Sequence, residues 1–172
     1  MTSRRAFCTL APLLMTPWPG IASPTKPPLR VPFGVQHAGS KVELDLVVSY
    51  GGPHLFNLLF PYRENDPEDY RRVRKLAGDH VTDALGVLLP SGVPLSIHLV
   101  IEDARATGDT RRYDKVRDPS LAAYGGGYVY KRIDSALLEP GRYRISATSL
   151  RRAQELDGLN IQFGVTRDQR AA

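Results

Sequence analysis

Sulfur and tryptophan are nearly absent from this 172-residue chain, which holds one Cys, two Met and one Trp. All four lie before position 20, as Met1, Cys8, Met15 and Trp18. A single Cys excludes an internal disulfide framework, a Cys-based zinc site and an iron–sulfur cluster. The N-terminal apolar run, residues 6–15, is only half of the ~20 residues a spanning helix needs, and Pro12 interrupts it. No block of five or six like charges occurs. The balance of 23 basic against 18 acidic residues is mildly basic, which permits acidic partners without establishing nucleic-acid binding. Hydrophobic content of 42% and charged content of 24% exclude wholesale disorder, and the length suits one domain.

What is present begins with an address. Arg4-Arg5 precedes the short apolar run, and small residues close the segment at Gly20 and Ala22, the layout of a secretory signal peptide over residues 1–22. Ser3-Arg4-Arg5-Ala6-Phe7 also resembles a twin-arginine signature, and both export routes fit. Cleavage near Ala22 leaves a mature chain without Cys, Met or Trp, suited to an oxidising periplasmic or extracellular setting. Cys8 has no apolar run before it and reads as an ordinary signal-peptide residue.

The body reads as strands. Residues 23–32 form a proline-rich lead-in that enters an edge strand, residues 33–167 a single domain, and residues 168–172 a disordered tail. Val42, Leu44, Leu46, Val48 and Tyr50 alternate with polar residues, and Leu95, Ile97, Leu99 and Ile101 do the same. Further strands are expected at residues 54–62, 111–116, 128–133, 142–150 and 159–165, with a hairpin turn at Thr107-Gly108-Asp109. Residues 118–127 read as a loop or short helix ending at Gly125-Gly126-Gly127. One helix is expected: Asp66 as N-cap, Pro67 at its first position, Arg74 and Lys75 near its end, and Gly78 as the stop. Tyr70, Val73 and Ala77 share its inner face, flanked by Leu76. Together these predict a mainly β, antiparallel, immunoglobulin-like sandwich of seven or eight strands with one appended helix. Leu138-Glu-Pro-Gly-Arg-Tyr143 supports it, because a tyrosine opening a strand after such a turn can bond back across the corner.

Candidate chemistry is sparse. His37, His54, His80 and His98 are scattered, so a metal site needs tertiary structure to gather them with Asp79 or Asp83. No Gly-x-Ser-x-Gly elbow exists, and the mature chain has no Cys nucleophile. The run from Gly34 to Lys41 misorders the phosphate-loop residues and leads into a strand. Glu64, Asp66, Glu68 and Asp69 do not follow calcium-loop spacing, and capping and dipole complementarity explain them. No cofactor or resident metal is expected. Two surfaces stand out: the basic face of Arg71, Arg72, Arg74 and Lys75, and the tyrosines Tyr124, Tyr128 and Tyr130 around the glycine loop. Arg111-Arg112 is the other dense positive spot.

Several stretches resemble the exported proteobacterial family catalogued as domain of unknown function 5625. They are Glu64-Asn-Asp-Pro-Glu-Asp-Tyr-Arg-Arg-Val-Arg-Lys-Leu-Ala-Gly-Asp, Val31-Pro-Phe-Gly-Val, Gly92-Val-Pro-Leu-Ser-Ile-His-Leu, Tyr130-Lys-Arg-Ile-Asp, Leu138-Glu-Pro-Gly-Arg-Tyr-Arg-Ile-Ser and Phe163-Gly-Val. The resemblance spans roughly residues 31–167 and implies an exported β-rich domain, with no catalytic residues to carry over. Many members look like lipoproteins, whereas this chain has no lipobox. The expected function is a non-enzymatic envelope protein that binds another protein rather than nucleic acid. Neutralising a secreted antibacterial toxin is the sharpest version. A small-ligand or glycan-binding sandwich and a metal-assisted hydrolase are the alternatives.

Overall fold

A computed structural model describes residues 26–78, 81–82, 84–85, 88–89, 91–105 and 111–168. The expected signal segment at residues 1–22, Asp79, His80, Asp83, the turn expected at residues 107–109 and residues 169–172 of the expected tail lie outside the described residues.

Two antiparallel sheets face each other. In chain order the strands are β1 (Leu29–Pro32), β2 (Lys41–Val48), β3 (Gly52–Pro61), β4 (Val81–Thr82), β5 (Leu88–Leu89) and β6 (Ile97–Asp103). They continue as β7 (Arg111–Arg117), β8 (Ser120–Gly125), β9 (Tyr128–Leu138), β10 (Gly141–Ser149) and β11 (Gln162–Arg167). One sheet has the order β1-β11-β3-β9-β8 and the other β2-β10-β6-β7, while β4 and β5 pair as a separate ribbon. The helix α1 (Pro67–Ala77) connects β3 to β4.

The period of two decides which side chains meet between the sheets. Phe56, Leu58 and Phe60 of β3, Val129 of β9, and Phe163 and Val165 of β11 are buried from one side. Leu46 and Val48, Ile97, Leu99 and Ile101, and Ile145 and Ala147 are buried from the other. Full burial of each large side chain contributes about 2–3 kcal/mol before entropy is counted. Phe163 anchors the layer, stacked on Phe56 at 6.4 Å and edge-on to Phe33 at 6.4 Å.

Local rules account for much of this. The Asp66 carboxylate accepts from the backbone N–H groups of Glu68 and Asp69 at 3.1 and 3.0 Å, and Pro67 follows, so α1 starts where the cap dictates. The Tyr143 hydroxyl donates to the Glu139 carbonyl at 2.9 Å, closing the corner that enters β10. β1, which follows the proline-rich lead-in and ends on Pro32, takes an edge, where a missing N–H donor is tolerated.

Three expectations change. The two principal sheets hold nine strands rather than seven or eight. Residues 120–125 form β8 instead of a loop or helix, because the turn at Gly126 and Gly127 (φ 56° and 74°) sends the chain straight back along β9. Tyr50 does not join the alternation of β2: the strand ends at Val48, and Tyr50 is 74% exposed.

Candidate functional site

The hairpin β8–β9 divides the tyrosines. Tyr124 is directly opposite Val129, which is in the core, so Tyr124 points to the inner side, where α1 packs. Tyr128 and Tyr130 flank Val129 in β9 and therefore point to the outer face of the same sheet. The three tyrosines singled out in the sequence thus make two surfaces, not one.

On the inner side an aromatic row runs from Tyr62 to Tyr70 at 4.9 Å and on to Tyr124 at 6.4 Å between ring centroids. The Arg74 guanidinium lies over both later rings, 5.9 Å from Tyr70 and 5.6 Å from Tyr124, and Arg74 Nη1 donates to the Tyr70 hydroxyl at 3.3 Å. Tyr124 remains 60% exposed. Next to this row is an open cleft of about 390 Å³, lined by Arg71, Arg74, Lys75, Gly78, Ser91 and Gly92. Among the described residues, three cations and no carboxylate line it.

Glycine makes the cleft's narrow wall possible. A Cβ on Gly78 would collide with the Ser91 carbonyl, and one on Gly92 with the backbone of Gly78. Both residues also have positive φ, 107° and 77°. The contact is tied by the Val93 N–H, which donates to the Leu76 carbonyl at 2.8 Å.

Arg72 does not join its three basic neighbours. It turns toward Asp69, donating through Nη2 at 2.7 Å and Nε at 3.2 Å. Asp69 is 7% exposed and also accepts from the Arg63 backbone N–H at 2.9 Å. That backbone hydrogen bond, then the one from Arg72, holds the Asp69 carboxyl below the usual range. The acidic segment is therefore a structural knot joining the start of α1 to Arg63, and Arg72 belongs to it.

On the outer face Tyr128 and Tyr130 lie 6.1 Å apart, and the Arg30 guanidinium sits 4.7 Å above the Tyr128 ring. Arg30 reaches there from β1 across Gly164, its register partner in β11. Leu59 leans into the space that a Cβ on Gly164 would fill.

The described histidines stay apart. His54 is 1% exposed with Nδ1 2.9 Å from the Gly52 carbonyl, and burial holds its pKa below the ordinary value. His98 Nε2 is 2.6 Å from Asp114 on the far sheet, and His37 is exposed in the β1–β2 connection. Among the described residues, no group of three or more His, Cys, Asp or Glu is placed to hold a metal ion. No helix among them is long and apolar enough to cross a membrane.

Sequence reasoning missed Lys131. It is directly opposite Leu58, facing the core from β9, and is only 3% exposed. Burial pulls its amine from 10.5 down to about 8. The signal was available: position 131 falls between Val129 and Ile133 on the inward parity of the strand. Arg30 was missed because its neighbour Tyr128 comes from a distant chain segment, and Tyr62 because the turn between β3 and α1 is what brings it to Tyr70.

Among solved structures, the chain is similar to the crystal structure of GEBA250068378 from Sulfurospirillum deleyianum. The identity is 17% and the TM-score 0.67, over 83% of this chain and 98% of that one. That likeness is one of fold. No curated protein matches the sequence. A family model matches residues 30–167, and the chain therefore belongs to the family described as Domain of unknown function (DUF5625).

Proposed function

We propose that this protein is a non-enzymatic, exported envelope protein that binds another protein through the surface shared by α1 and β8. One observation carries the reading. Arg74 is held over Tyr70 and Tyr124 beside a cleft lined by Arg71, Arg74 and Lys75, with Tyr124 left 60% exposed. Tyrosine and arginine are the residue types that dominate contact energies at interfaces, and the exposed cations Arg71 and Lys75 favour an acidic partner. The sharpest version is neutralisation of a secreted antibacterial toxin.

The test compares retention of envelope proteins on three immobilised forms: the unaltered protein, Arg71→Glu/Lys75→Glu, and Arg111→Glu/Arg112→Glu as an equally charged control in β7. A partner kept by the first and third forms and lost by the second supports the proposal. Identical retention by all three would sink it.

A second reading rests on the outer face. Arg30, Tyr128 and Tyr130 present two rings tilted at 56° with a cation over one of them, an arrangement that also suits a sugar or other small ring ligand. Retention on glycan resins that disappears in Tyr128→Ala/Tyr130→Ala, with the α1 variant unaffected, would favour that reading.

A further inference from the structure

The two principal sheets turn different outer faces away from the core. On the four-stranded sheet the outward charges are paired: Lys41 with Glu43, Arg144 with Asp45, and both His98 and Arg111 with Asp114. On the five-stranded sheet, strand parity puts only two charged residues outward, Arg30 of β1 and Arg132 of β9, and both are exposed. Register sets them in one row across the sheet, Arg30–Gly164–Asn57–Arg132–Ser120. The Arg132 side chain makes no ion pair or hydrogen bond among the described residues, and that of Arg30 makes only its contact over Tyr128. The middle of the row holds an amide. Asn57 lies in the central strand β3 between the core residues Phe56 and Leu58, so its side chain faces outward. It is only 6% exposed, yet its side chain makes no hydrogen bond to any described residue. Buried polar groups are nearly always paired, and an apolar side chain would fill the position at lower cost. The adjacent row holds Leu59 and Tyr130, with Tyr128 two residues along β9.

We propose that this face binds an acidic oligosaccharide, one that carries uronate carboxylates, with the Asn57 amide as its central hydrogen-bonding group. This rests on the second reading above, extends it from the ring pair to the polar row, and names the sugar class. Sugar rings offer C–H faces to Tyr128 and Tyr130, and hydroxyls to the donor and acceptor of one amide. Uronate carboxylates offer the planar, bidentate partner that a guanidinium fits best. The two arginines are three strand spacings of ~4.8 Å apart, roughly 14 Å at the backbone, so the row suits an oligomer rather than a single ring. A glutamate-rich peptide meets the arginines but offers no ring face to the tyrosines. Three acidic residues border the face: Glu64 lies by Gly127 at the β8–β9 turn, Asp118 precedes β8 and Asp168 follows β11. The chain before Lys26, which leads into β1, contains no acid. Asp79 and Asp83 belong to the connections around β4 after α1, and Asp109 to the one between β6 and β7 of the other sheet.

The experiment is an NMR titration of the isotope-labelled protein with trigalacturonate, read at the Asn57 side-chain amide and at the backbone amides of β9. Galactotriose, which lacks the carboxylates, and a capped glutamate-rich pentapeptide are the controls. The proposal expects saturable shifts at Asn57 and Tyr130 with trigalacturonate, and at least about ten-fold weaker binding of each control. Arg132→Gln should weaken binding about ten-fold, and its exposed, unpaired side chain makes loss of the fold an unlikely cause of that change. Asn57→Leu should weaken binding as much while leaving the thermal midpoint unchanged or raised, a split that a purely structural amide would not give. Arg71→Glu/Lys75→Glu should bind the sugar as the unaltered protein does. Equal binding of galactotriose at the same residues would overturn the assignment to acidic sugars and leave the sugar reading standing. Absence of saturable shifts with either sugar would sink both. Equal or tighter binding of the peptide, or sugar shifts located on α1 or on the four-stranded sheet, would overturn the site.

Discussion

The two densest basic stretches of this chain have opposite fates. In β7 each positive group named by the sequence meets a carboxylate: Arg111 Nη1 reaches Asp114 at 2.8 Å, and Arg112 Nη2 reaches Asp103 at 3.3 Å. Arg117 donates to Asp134, which also receives the Tyr113 hydroxyl and so links β7 to β9. In α1 Arg72 is paired with Asp69 of the helix, while Arg71 and Lys75 have no carboxylate within ion-pair distance among the described residues. Arg74 lies over two tyrosine rings. The difference comes from topology. Strand pairing brings Asp103 of β6 alongside β7, and sheet packing brings Asp134 of β9, whereas the second half of α1 faces aromatic residues and glycine backbone. Counting arginines in a sequence does not locate a cationic surface; the carboxylates that the fold supplies decide it.

Lys131 adds a third fate, burial with no hydrogen-bond or ion-pair partner among the described residues, and it gives the largest expected effect on stability. Its folded pKa of about 8 is below its unfolded value of 10.5, so between those two values the unfolded chain binds more protons. Stability should therefore rise with pH across that window, and the cost of burying the charge is fully present below about pH 8. Lys131→Met should stabilise the fold at pH 7 by up to about 3 kcal/mol, with the gain fading toward pH 10.5. Urea unfolding of both forms across that range measures it. A destabilised variant at pH 7 would mean that the amine has a compensating partner.

Next in size is the β7 network. Burial tends to raise the Asp134 carboxyl, but hydrogen bonds from Tyr113, Arg117 and the Ser135 N–H outweigh it, and the group titrates below its ordinary range. The stabilisation is present above the unfolded carboxylate value and is lost as pH falls through the folded one. Asp134→Asn should cost roughly 2 kcal/mol at neutral pH, and less in acid. Partner retention should be unaffected once the variant is folded. Loss of binding at preserved stability would blur the contrast between the two basic regions.

The smallest expected change sharpens the contrast from the other side. Arg71→Ala/Lys75→Ala removes two exposed charges that form no hydrogen bond or ion pair among the described residues, so stability should move by less than about 0.5 kcal/mol. Thermal unfolding checks this. A loss comparable with that of Asp134→Asn would give α1 the structural role here assigned to β7.

The sequence was legible wherever short-range rules dominate. The Asp66 cap, the Pro67 start, the alternation of β2 and β6 and the Tyr143 corner each depend on residues within a few positions of one another. Where distant partners decide, legibility ended. Ser120-Leu-Ala-Ala-Tyr-Gly has no clear alternation, and it is a strand because β9 offers a ladder to it, with a bulge between Leu121 and Ala123. The alternation of β9 breaks near Asp134 because the pairing with β3 slips between Phe56 and Asn57, so the strand runs on to Leu138 unannounced. The site was half legible. Arg71, Arg74, Lys75 and Tyr124 come together, whereas Arg72 turns to Asp69 three residues earlier, and Tyr128 and Tyr130 follow strand parity to the opposite face.

The most direct measurement is site-specific photocrosslinking in intact cells, with the photoreactive residue at position 124 or at position 116. Both wild-type side chains are exposed, Tyr124 at 60% beside α1 and Val116 at 51% in β7. A discrete protein adduct at position 124, absent at position 116 and abolished by Arg71→Glu/Lys75→Glu, is the predicted result. Adducts at position 116 but not at position 124, or at neither, would contradict the account.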